Sequence, residues 1–168
     1  MTYSIIKKLS NSLKTFQKII LIVTSSFIAI AIGTGAILRY LFNKDLYGGE
    51  EFISIAAFWM YFMGAVYATH TKKHITAEIF SSYCKNVTII YIVKLISLAV
   101  TIIISFLYSW WGWEFFHWSL TKGGKSVVWL IPLVYGHAAV TVGFILMTFY
   151  FIIIFKEEII NSNYRLKI

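Results

Sequence analysis

Five charged residues crowd one short stretch of this chain: Arg39, Lys44, Asp45, Glu50 and Glu51, with Gly48-Gly49 among them. Paired carboxylates can act as general acid and base, but adjacent residues at a helix start point in different directions. No nucleophile or metal-ligand set stands beside them either, so hydrolysis is a poor fit. The stretch reads instead as a helix corner. The two glycines make a turn, and Glu50 and Glu51 fall in the first turn of the following helix, where the helix dipole favours negative charge. Arg39 lies about one turn below the end of the preceding helix, within reach of either Glu, so a charge-paired corner is expected. The sharper alternative leaves one Glu free to engage a partner.

Histidine offers a second chemistry. His70 and His74 are spaced i, i+4, and His117 and His137 fall on later apolar stretches. Four histidines raise the alternative of a membrane-anchor, b-type cytochrome subunit with bis-His haem. Depth opposes it: His117 is near one membrane surface, His137 about ten residues into its span, and His70 and His74 share one helix at the opposite side. No cofactor is expected in this chain. Cys84 is the only cysteine, so neither an intrachain disulfide nor a cysteine metal site can form. Glu78 and Glu114 sit at span ends, whereas a drug/proton antiporter needs a carboxylate at mid-membrane.

The elements that must position these residues are apolar helices. The 168 residues are 59% hydrophobic and 13% charged with one Pro, against about 25% charged in a soluble domain. An all-α membrane protein follows: one unit over 1–168, with four long, tilted spans at about 19–42, 52–71, 87–113 and 127–155. The fourth, uncharged between Lys125 and Lys156, would run roughly 44 Å, beyond a ~30 Å hydrocarbon core. The run 19–38 is too long for the apolar region of a secretory signal and reads as a retained anchor. Eleven of the 15 Lys and Arg flank the termini and the 72–94 region, and four lie on the other side, which puts both termini in the cytoplasm. Lys94, about two turns inside its span, can snorkel to the headgroups. Lys mixed with Phe and Ile over 15–22 suggests a start along the interface. The positives sit beside the spans, with no soluble basic face for nucleic acid; lipid is the surrounding partner.

Packing faces are visible too. Ser26, Ala29, Gly33 and Ala36 form a small-residue stripe, as do Ala57, Gly64 and Ala68, and Gly136, Ala139 and Gly143. Such stripes allow close helix approach, here within a four-helix bundle or toward a partner. Trp110, Trp111, Trp113, Phe115, Phe116, Trp118 and Trp129 form an aromatic belt dense enough to furnish a docking surface.

Arg39-Tyr40 with Phe42, Glu50-Glu51, Trp59, Phe62-Met63-Gly64-Ala65, Ala68 and His74-Ile75-Thr76-Ala77-Glu78 resemble the small membrane subunit of tripartite ATP-independent periplasmic (TRAP) transporters. Four spans and Trp129-x-x-Pro132 before the last resemble it as well, and Glu78 replaces a common Asp. The resemblance implies bacterial inner-membrane uptake of an organic acid of the C4-dicarboxylate or sialic acid class. It implies a large multi-span permease subunit that binds substrate and Na⁺, and a periplasmic substrate-binding protein. This chain would pad the scaffold and help docking. Asp45, Glu50, Glu51, Trp59, Gly64, His74, Glu78, Trp113, Trp118, Trp129 and Pro132 are the expected partner or docking positions.

Overall fold

The computed structural model describes residues 2–71 and 87–165. Among them are four long helices: α1 Thr2–Phe42, α2 Gly49–His70, α3 Val87–Lys122 and α4 Val134–Arg165. Each contains a stretch long and apolar enough to span a bilayer. There is no strand among the described residues, only an isolated bridge between Lys125 and Pro132.

Three boundaries differ from the sequence reading, each for a local reason. α1 continues unbroken back to Thr2 instead of starting near residue 19 along the interface. Its early polar residues are held by other helices: Ser10 Oγ lies 2.9 Å from His70 Nε2, and Gln17 Nε2 donates to Tyr150 OH at 3.0 Å. α3 passes residue 113 and ends at Lys122, where Gly123 turns the chain with φ +63°. α4 begins at Val134 instead of 127. Pro132 lacks an N–H and pushes Ile131 away from helical geometry, and Leu130 adopts φ +54°. The apolar residues 127–131 therefore belong to a hairpin over 123–133.

The helices form an open row, not a closed four-helix bundle. α1 packs on α2, α2 on α4, and α4 on α3, leaving α1 and α3 as the edges. Small residues set the close approaches. A Cβ on Gly64 would lie 3.6 Å from Leu21 of α1, one on Gly136 3.3 Å from Phe58, and one on Gly143 2.9 Å from Phe62. Ala139 is fully buried between them. The stripe Ser26, Ala29, Gly33 and Ala36 faces outward, with nothing within 4 Å of a Gly33 Cβ.

Polar side chains fasten the seams. Between α3 and α4, Lys94 pairs with Glu158 at 2.6 Å in place of snorkelling. Further along, Thr148 Oγ1 meets Ser105 Oγ at 2.9 Å and Ser109 Oγ at 3.0 Å. Thr141 Oγ1 then donates to Gly112 O at 2.7 Å, and His137 Nδ1 sits 2.8 Å from Ser119 Oγ. Where α1, α2 and α4 meet, Gln17 and Tyr150 are buried and the His70 ring stands edge-on to Tyr150 at 5.0 Å. In a dry environment such bonds replace the hydrophobic force that drives helices together in water.

Candidate functional site: a carboxylate-latched hairpin

The 43–48 turn and the 123–133 hairpin share one end of the row, the hairpin end. Lys44 N donates to Leu38 O at 3.1 Å, closing α1, and Asp45 Oδ1 accepts from Leu46 N at 3.0 Å. Gly48, at φ +75°, then turns the chain into α2. This left-handed conformation carries little cost for glycine alone.

Glu51, in the first turn of α2, reaches across to the hairpin. Its Oε2 accepts from Ser126 Oγ at 2.6 Å and Trp129 N at 2.9 Å, and its Oε1 accepts from Val128 N at 2.6 Å. Ser126 passes the connection on: its Oγ accepts from Ile131 N at 2.9 Å, while its own N–H donates to Ile131 O at 2.9 Å. An ionised carboxylate is acceptor-only with two oxygens, so it matches three converging donors. The Trp129 indole lies against the Gly48 backbone, and its ring stands edge-on to Phe52 at 6.0 Å. Trp59 adds a fourth tie, its Nε1 donating to Tyr135 O at 3.1 Å.

The expected Arg39–Glu corner pair is not formed. Glu51's carboxylate is turned to the hairpin, Glu50 and Arg39 are both exposed, and no ion pair joins Arg39 to either. Arg39, Asp45, Glu50 and Glu51 nevertheless line one open cleft of about 970 Å³ between α1 and α2. Pro132 closes the hairpin opposite Lys125, and Gly64 lies deep in the α1–α2 seam. Trp113 and Trp118 are exposed on α3, across α4 from α2, with Trp118 stacked on Phe115 at 6.2 Å. His74 and Glu78 lie outside the described residues.

Sequence reading missed Ser126, the residue that joins Glu51 to the far side of the hairpin. Its signal was present: Gly123-Gly124 and Pro132 bracket the segment as turn residues. The described histidines of the α2 and α4 seams lie apart. His70 and His137 are each engaged by a serine, at opposite ends of the row. Among the described residues no three His, Cys, Asp or Glu gather to hold a metal ion.

Fold and latch together define a multi-span membrane subunit whose polar groups brace each helix against the next. The chain belongs to the tripartite ATP-independent periplasmic transporters, DctQ component: the model of that family matches residues 19–160. It is thus a small permease subunit of a TRAP transporter, a transport component and not an enzyme. The match takes in all of α2 and α3, parts of α1 and α4, and the whole latched hairpin. A comparison with curated proteins finds no match.

Proposed function

We propose that this subunit is the static brace of a Na⁺-coupled system for uptake of an organic acid of the C4-dicarboxylate or sialic acid class. A large multi-span permease subunit binds substrate and Na⁺ and moves against the brace, and a periplasmic substrate-binding protein delivers the substrate. Both termini face the cytoplasm, in keeping with the surplus of Lys and Arg near them, so the hairpin end faces the periplasm. The observation that carries the reading is cross-bracing at both ends of the α2–α4 seam, by Glu51 on the hairpin and by Tyr150 against His70 and Gln17.

Docking falls to the hairpin tip and the aromatic face of α3. Val127 is 92% exposed and Leu130 62%, and Trp113 and Trp118 stand open on α3. Glu51 contributes by holding the tip instead of touching the partner. His74 and Glu78, which follow α2 in the sequence, help fix the large subunit. The test is co-purification with the large subunit, followed by uptake into proteoliposomes with the binding protein present. Val127→Asp with Leu130→Asp should keep co-purification and raise the binding-protein concentration needed for half-maximal uptake. Unchanged uptake would remove the tip from docking. If His74→Ala and Glu78→Ala leave both co-purification and uptake intact, the anchoring role goes.

A further inference from the structure

We propose that the cleft between the hairpin-side end of α1 and the start of α2 holds one phospholipid with a zwitterionic ethanolamine headgroup. The cleft of about 970 Å³ lies beside α1, an edge of the row. Its wall is small and apolar: Ala31, Ile32, Gly35 and Ala36 of α1, with Ile53 of α2. Nothing from elsewhere in the chain comes within 4 Å of a Cβ placed on Gly35. The wall is therefore open to an acyl chain.

The rim is charged with both signs. Arg39 supplies a guanidinium, and Asp45 and Glu50 supply two carboxylates; all three side chains are exposed, and none is in an ion pair among the described residues. Glu51, also on the lining, is occupied by the hairpin. A guanidinium matches a phosphodiester in planar, two-donor fashion. A primary ammonium brings three donors to the two carboxylates. An anionic headgroup without an amine would meet one cation and two like charges. Arg39 lies about one turn toward the helix end from Gly35 and Ala36, which is the vertical order of a phospholipid, headgroup above chain. This matching of charge and depth is what selects a lipid over a partner helix, and it does not depend on the docking reading.

The test uses the complex with its large subunit in nanodiscs of equal phosphatidylethanolamine and phosphatidylglycerol, with retained lipid counted by native mass spectrometry. Phosphatidylethanolamine should be enriched on the wild type. Arg39→Gln and Glu50→Gln should each cut that enrichment about two- to fivefold, the range expected for exposed ion pairs. Ile32→Trp fills the apolar wall from an exposed position and should abolish retention without altering charge. Equal retention of the two lipids, enrichment of phosphatidylglycerol, or enrichment unchanged in all three variants would overturn the site. So would a photo-crosslinker at position 32 that captures the large subunit instead of lipid.

Discussion

Gly48→Ala tests the latch without touching its carboxylate. The substitution acts twice. Alanine at φ +75° adopts the left-handed region at a cost of about 1–2 kcal/mol. Its Cβ would also meet the Trp129 ring, at 2.6 Å from Cδ1, and Val128 Cγ1 at 2.7 Å. Neither neighbour yields cheaply, because the Val128 and Trp129 amides are both held by Glu51. The indole must swing off Phe52, losing an edge-on aromatic contact of about 0.5–1.5 kcal/mol. The two effects sum to about 1.5–3.5 kcal/mol, concentrated in the hairpin. Hydrogen exchange of the purified complex should show faster exchange at the 128–131 amides, with the α3–α4 seam unchanged. Uptake driven by the binding protein should fall. Gly33→Ala is the control: nothing lies within 4 Å of its Cβ, and alanine gains up to about 1 kcal/mol of helix propensity. Wild-type exchange at 128–131 in Gly48→Ala, or equal damage from Gly33→Ala, would refute the reasoning.

Three further perturbations address the other fasteners. Glu51→Gln replaces one of two accepting oxygens with a donor that faces N–H groups, so the 128 and 129 amides should exchange faster than the Ile131 amide, which bonds to Ser126; uniform change across the hairpin would argue against a local latch. Lys94→Met combined with Glu158→Gln in a double-mutant cycle should give a coupling of about 0.5–1 kcal/mol, since the pair is partly exposed at 41% and 20%; zero coupling in a thermal melt would count against it. Gln17→Leu and Tyr150→Phe should each destabilise the α1–α2–α4 junction by about 1–3 kcal/mol, because each leaves a buried partner unsatisfied. The double variant should cost less than the sum, as read by denaturation.

The spans were legible because a run without charge longer than a bilayer is a strong physical constraint, and the glycine corner with Glu50-Glu51 in the first turn of α2 appeared as expected. The fourth helix was misplaced at its start for the same reason. Val127 to Ile131 is apolar, and hydropathy alone cannot separate an apolar hairpin from a span. Pro132 carried the missing information. Glu51's partner was not legible, because two of its three donors are backbone N–H groups, which leave no mark on residue type. Arg39, one turn below the end of the preceding helix, drew the pairing that Ser126, 75 residues away, actually makes. The polar ladder between α3 and α4 was hidden similarly. Ser105, Ser109 and Thr148 look like ordinary small residues until the register of the two helices brings them together.

That register also sets how the row meets the bilayer. The uncharged stretches of α1, α2, α3 and α4 centre near Ile28, Tyr61, Ile104 and Phe144. Contacts place these centres on one scale: Leu21 lies level with Gly64, Phe58 with Gly136, Phe62 with Gly143, and Gly112 with Thr141. Passing from α1 to α2, α4 and α3, the centres fall on average about four residues per step further from the hairpin end, or roughly 6 Å at 1.5 Å per residue. With neighbouring axes 8–10 Å apart, a bilayer placed through all four centres runs obliquely to the helices. The required tilt, about 35° within the plane of the row, is steep against the usual average of about 20°. It explains why α3 and α4 are far longer than a perpendicular crossing needs, and why Lys94 lies inside its helix yet near the surface. Sliding α4 past α3 would break the ladder between them, and sliding α2 past the hairpin would break the latch. Measured axes within 10° of the membrane normal would refute this arrangement, whatever the docking partner proves to be.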